Sequence, residues 1–120
     1  VRYSEIIEGK SVLDLFQLPT AVVEFYDDPT QGVGDEGWTI DELVDEMQTN
    51  GMRQRTPIEV GRSRVDMKYS GDTNVYAFNG NHRLAACKKL GLQFVLCVNS
   101  SSYDAVPLTL EDIHTLGGRV

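Results

Sequence analysis

Residues 78–91 read Phe78-Asn79-Gly80-Asn81-His82-Arg83-Leu84-Ala85-Ala86-Cys87-Lys88-Lys89-Leu90-Gly91, or FNGNHRLAACKKLG. The stretch starts as a strand end and finishes as a helix that Gly91 stops. Projected at 100° per residue, the helix after Gly80 sets Leu84, Ala86, Cys87 and Leu90 on one arc and leaves Ala85, Lys88 and Lys89 elsewhere. Arg83 falls inside the apolar arc. Its head must therefore emerge at the N-terminal end of the helix or be buried against an acceptor, because a buried guanidinium with no partner is too costly to keep.

The amides at Gly80, Asn81 and His82 lie where a helix has no internal acceptor for them, and the helix dipole adds partial positive charge there. Glycine lets a ligand approach the backbone closely, His82 can donate to an oxygen, and Arg83 can form a two-pronged pair with phosphate. The order suits a strand-to-helix turn that grips phosphate or carboxylate. A plainer reading stands beside it: Asn81 caps the helix, His82 is exposed, and Arg83 pairs with an acid such as Asp28 or Glu59.

Working outward, 120 residues with 41% apolar content fit one domain over 1–120. No run of about 18 apolar residues exists, and VRYSEIIEGK lacks the apolar core of a signal peptide, which predicts a soluble, cytoplasmic domain. A first residue of Val suggests a fragment of something longer. Eleven basic against eighteen acidic residues give a net charge of −7, which repels a polyanion and disfavours nucleic acid as a partner. Cys87 and Cys97 have no metal or redox spacing and read as small buried residues, and two histidines are too few for a zinc site, so no metal ligands are assigned.

Residues 1–18 read as a short helix or an irregular arm. Ala21 to Tyr26 is a strand by its β-branched and aromatic content, ended by Asp27-Asp28-Pro29-Thr30 and followed by a glycine-rich surface loop. From Thr39 a helix follows: Thr39 and Glu42 form a capping box, Ile40, Leu43, Val44 and Met47 form the stripe, and Asn50-Gly51 stops it. Asp41, Glu42, Asp45 and Glu46 fall off the stripe and read as a solvated face. Strands are expected at Pro57 to Val60, Asn74 to Phe78 and Phe94 to Val98, then a last helix from Thr109 to Leu116. The fold class is α/β or α+β, a small mixed sheet with helices.

In this order, a capped helix, a Pro-Ile-x-Val strand, and a strand leading into Gly-x-His-Arg and an alanine-containing helix closed by Leu-Gly, the chain resembles the ParB/sulfiredoxin superfamily over roughly residues 18–98. Asp28-Pro29-Thr30-Gln31 weakly echoes the Asn-Pro-x-Gln segment of ParB proteins. The resemblance implies a nucleoside triphosphate as ligand, with Mg²⁺ as a candidate cofactor and phosphates at Gly80, Asn81, His82 and Arg83. Arg53, Arg55 and Thr56, just before Pro57, are added as candidate phosphate ligands. Members include a DNA-partition CTPase, an ATP-using reductase of oxidised peroxiredoxin, a free-serine kinase and nucleases, so fold does not settle function.

The chain departs from these relatives at Asn81, where sulfiredoxins carry the reactive Cys and ParB proteins a Glu. An amide is no thiolate nucleophile and cannot offset the charge of Mg²⁺. Thr39, Glu42 and Glu46 stand where sulfiredoxin-like relatives carry basic and hydroxyl ligands. The expectation is a nucleotide-binding domain, with weak NTPase or phosphotransferase activity, for which Asp28, Glu42 and Glu59 are candidate bases. Two alternatives remain: a DNA-nicking nuclease using Asp27, Asp28, Glu42 and Glu46, and a non-catalytic module whose acidic helix face docks on a basic partner.

Overall fold

Alternation of buried and half-buried residues builds the sheet. In the computed structural model, which describes residues 15–28, 37–51, 54 and 56–120, strands β1 (Phe16–Pro19), β2 (Val23–Phe25), β3 (Ile58–Ser63), β4 (Val75–Asn79), β5 (Phe94–Asn99) and β6 (Ala105–Val106) form one mixed sheet. Its order is β1-β5-β3-β4-β2, with β6 paired to β3. Four helices accompany it: α1 (Ile40–Thr49), α2 (Arg64–Ser70), α3 (Asn81–Lys89) and α4 (Leu110–Thr115). The fold class is the mixed α+β arrangement that the pattern predicts.

Two of the helices start as their sequences dictate. The Thr39 hydroxyl accepts from the Glu42 N–H (3.2 Å) and the Glu42 carboxylate accepts from the Thr39 N–H (3.0 Å), a reciprocal box that satisfies two donors at once. Thr109 and Asp112 repeat it on α4. Leu43 and Met47 of α1 are buried in one core with Leu84, Ala86 and Cys87 of α3 and with Ile58, Val60, Val75, Ala77, Val95 and Cys97 from the sheet. Lys89 meets Asp41 at 2.7 Å, so the end of α3 lies beside the start of α1.

Three expectations are corrected. Phe16–Pro19 is a strand where a helix or irregular arm is expected, because Phe16 and Leu18 are buried between half-buried Gln17 and Pro19 and pair antiparallel with Cys97 and Val95; residues 1–14 lie outside the described residues. The strand expected from Ala21 contracts to Val23–Phe25, since Thr20–Val22 forms a turn of 3₁₀ helix in which the Thr20 N–H bonds the Gln93 carbonyl. The strand from Pro57 runs on to Ser63, where a Cβ on Gly61 would stand 3.0 Å from Ala105 Cβ, so only glycine lets β6 lie so close. The glycine-rich loop expected after Asp28 falls largely outside the described residues.

The topology sets up the site. β2 runs parallel to β4, Phe25 opposite Ala77, so Tyr26 to Asp28 leave the sheet at the end where β4 gives way to α3. β3 runs antiparallel to β4, Glu59 opposite Asn79, which brings Thr56 and Pro57 to that same end.

Candidate anion site at the start of the third helix

Gly80 is the N-cap of α3 and sits at φ +92°, ψ 26°, a left-handed conformation that glycine adopts without steric cost. Gly80 has no side chain with which to cap the helix, whereas Thr39, Ser63 and Thr109 cap α1, α2 and α4 with theirs. The reading in which Asn81 caps α3 is therefore corrected: a residue already inside the first turn cannot fold over its own amides.

The Asn81 side chain turns back into the protein instead. It is 8% exposed. Its Oδ1 accepts from the Tyr26 N–H (3.0 Å), and its Nδ2 donates to the Ala77 carbonyl (2.8 Å). The amide thereby ties the end of β2 to the end of β4 and to the start of α3. Above this joint the Tyr26 ring stacks on Phe78 at 4.6 Å and meets Tyr76 edge-on at 5.9 Å.

Arg83 takes the second of its two expected courses. It is 8% exposed, and its Nη1 donates to the Pro57 carbonyl at 2.7 Å. The guanidinium lies against the Gly80 turn so closely that a Cβ on Gly80 would stand 2.9 Å from Nη1. The buried cation is thus fixed directly behind the helix start. Glu59, one of the acids named as its partner, accepts from Asn79 Nδ2 at 2.7 Å.

Of the other candidate ligands, His82 is half-buried in the first turn of α3, and half-buried Thr56 precedes the Pro57 that binds Arg83. The structure thus brings Gly80, Asn81, His82, Arg83 and Thr56 to one end of the sheet. Arg53 and Arg55 lie outside the described residues. Asp27 and Asp28 are exposed where β2 ends. Among the described residues, no three of His, Cys, Asp or Glu come together in a way that could hold a metal ion.

Thiol chemistry has no support in this geometry. Cys87 is fully buried on α3, and burial pushes its thiol up to about 12 against the opposing charge of Arg83. Cys97 is fully buried on β5 and is raised further by burial.

The acids of α1 face away from the core. Glu42, Asp45 and Glu46, with Trp38, Thr49 and Asn50, line an open groove of about 720 Å³. Asn50 Nδ2 donates to Glu46 at 2.7 Å.

Sequence reasoning missed Tyr26, Ala77 and Pro57 as the backbone partners that lock Asn81 and Arg83. Only the apolar surroundings of Arg83 signalled that an acceptor was needed.

No family model and no curated protein matches the chain. Among solved structures it is similar to the sulfiredoxin of Arabidopsis thaliana, with 25% identity and a TM-score of 0.51, over 74% of this chain and 86% of that one. The fold is sulfiredoxin-like. Among the described residues no helix is long and apolar enough to cross a membrane.

Proposed function

We propose that this is a nucleotide-binding domain that takes the phosphates of a nucleoside triphosphate at the start of α3. The observation that carries the reading is the left-handed, side-chain-free cap at Gly80, with the Arg83 cation fixed behind it. First-turn amides and the helix dipole favour an anion, and the missing Cβ of Gly80 makes room for the guanidinium that backs them.

In this reading the backbone of Gly80, Asn81 and His82 holds phosphate oxygens, Arg83 supplies charge from below, and Thr56 lies beside them. The Asn81 side chain is a structural tie, because both ends of its amide are already engaged. Mg²⁺ would accompany the triphosphate and offset its charge. Binding is the primary activity. Hydrolysis or phosphoryl transfer would need a positioned carboxylate, and Asp28, where β2 ends, is the candidate at this end of the sheet.

Titration calorimetry with ATP, CTP and GTP, each with and without Mg²⁺, tests the proposal. Saturable binding of at least one is expected, weakened by Arg83→Ala. Absence of heat for all three at millimolar concentration overturns it.

A further inference from the structure

Among the described residues, three of the four most exposed large hydrophobic side chains lie on α2 or on the connection bonded to its first residue: Val65 (52% exposed), Tyr69 (76%) and Tyr103 (84%). Val65 and Tyr69 are one turn apart on α2, and Tyr103 lies on the β5–β6 connection. Arg64 joins them. Its backbone N–H bonds the Asp104 carbonyl (2.8 Å), its Nε bonds the Tyr103 carbonyl (3.0 Å), and its guanidinium lies 5.4 Å from the Tyr103 ring centre. Lys68 stands 5.3 Å from the Tyr69 ring centre. The connection is therefore pinned to α2, and two tyrosines are presented to solvent, each with a cation beside it.

Nothing in the fold explains this arrangement. α2 buries no residue in the core, so its tyrosine does not serve packing. Tyrosine and arginine are the residues that carry binding energy at protein interfaces, and clustered exposed apolar side chains mark such surfaces. The partner must supply negative charge opposite Arg64 and Lys68, together with a recess for a ring. The groove on α1 offers both: Glu42, Asp45 and Glu46 around a half-buried Trp38.

We propose that the α2 patch of one molecule docks into the α1 groove of a second copy of this chain. The two surfaces share no residue, so each contact joins unlike faces; formed once, head to tail, it leaves each dimer one free patch and one free groove. The net charge of −7 opposes association at long range. Screening limits that repulsion to about 8 Å at physiological salt, so the facing charges and rings decide the outcome at contact.

Sedimentation velocity on the full 120-residue chain over a concentration series, at physiological ionic strength, tests this. The parent should show mass rising with concentration. Arg64→Glu with Lys68→Glu should remain monomeric, as should Glu42→Lys with Glu46→Lys, each weakening association by more than about tenfold. An equal mixture of the two double variants restores opposite charges across the contact and should associate again. Circular dichroism checks that both are folded. A parent that stays monomeric throughout, or variants that associate as the parent does, overturns the proposal. A monomeric parent that binds a single-stranded oligonucleotide through Tyr69 and Tyr103 also overturns it and assigns the patch to base stacking instead.

Discussion

Arg83 Nη1 donates to the Pro57 carbonyl at 2.7 Å while pressed against the Gly80 turn, so the start of α3 and the start of β3 are held together by a buried cation. A sheet gives β3 and β4 a common edge but fixes nothing beyond their ends. This strut fixes the turn that follows β4 relative to the segment that precedes β3.

Removing the strut should therefore affect both stability and ligand binding. A hydrogen bond from a charged donor contributes about 1.5–3 kcal/mol, and Arg83→Ala also leaves the Pro57 carbonyl without this donor. The expected outcome is a loss of stability of that order in urea denaturation, together with at least about a tenfold loss of nucleotide affinity. Binding that weakens with unchanged melting would make Arg83 a ligand without a structural role. Lower melting with unchanged binding would make it a strut only.

Gly80→Ala tests the same joint from the other side. The substitution meets two costs: the left-handed conformation, roughly 1–2 kcal/mol for a residue with a Cβ, and contact with Nη1 at 2.9 Å and with Ile58 Cγ1 at 3.4 Å. Gly71→Ala is the control, since Gly71 shares the left-handed conformation (φ +69°) with nothing within 4 Å of an added Cβ. Gly80→Ala should be the more destabilising of the two. In an Arg83→Ala background the difference should shrink, because the guanidinium no longer occupies that space.

How far the sequence foretells this joint depends on the range of the interactions. The Thr39–Glu42 box, the stripe of α1 and the apolar arc of α3 are local patterns, and each element forms where its pattern lies. α2 escapes because it buries nothing: Ser63 caps it and Gly71 ends it, but RVDMKYS carries no stripe. β1 escapes because the alternation of Phe16 and Leu18 spans only four residues. The apolar arc around Arg83 showed that its head needed either the helix end or a buried acceptor, and only the structure chose the second. The partners of Asn81 were not legible, since Tyr26 reaches it only through the pairing of β2 with β4.

The cysteines predict an alkaline limit to stability. Cys87 is raised to about 12 by burial from an ordinary value of 9.0, so the folded state holds the thiol proton more tightly than the unfolded state does. The stabilisation is complete below pH 9 and is lost as pH rises towards 12. Cys97 acts in the same direction. Denaturation measured from pH 8 to 11 should show a decline that is shallower in Cys87→Ala. At neutral pH an aromatic disulfide reagent should label both thiols only as fast as the chain unfolds. Immediate labelling of the native protein would contradict the burial on which both expectations rest.

Asn81 provides the most discriminating test, because its amide uses one oxygen and one nitrogen on two different partners. Asn81→Ala strands the Tyr26 N–H and the Ala77 carbonyl, at about 1–3 kcal/mol for each buried group left unpaired. Asn81→Asp keeps an acceptor for Tyr26 but faces a carboxylate towards the Ala77 carbonyl, so near neutral pH it should be no more stable than the alanine variant. Acid should separate them. A protonated carboxyl can donate to Ala77, so its pKa in the folded variant is raised above the unfolded value of about 3.9. The stability it regains is fully present below that unfolded value and is lost as pH rises through the folded pKa. Denaturation of both variants between pH 3 and 7 should show Asn81→Asp gaining on Asn81→Ala towards acid. Parallel profiles would mean that the Asn81 nitrogen does not sustain the tie to β4.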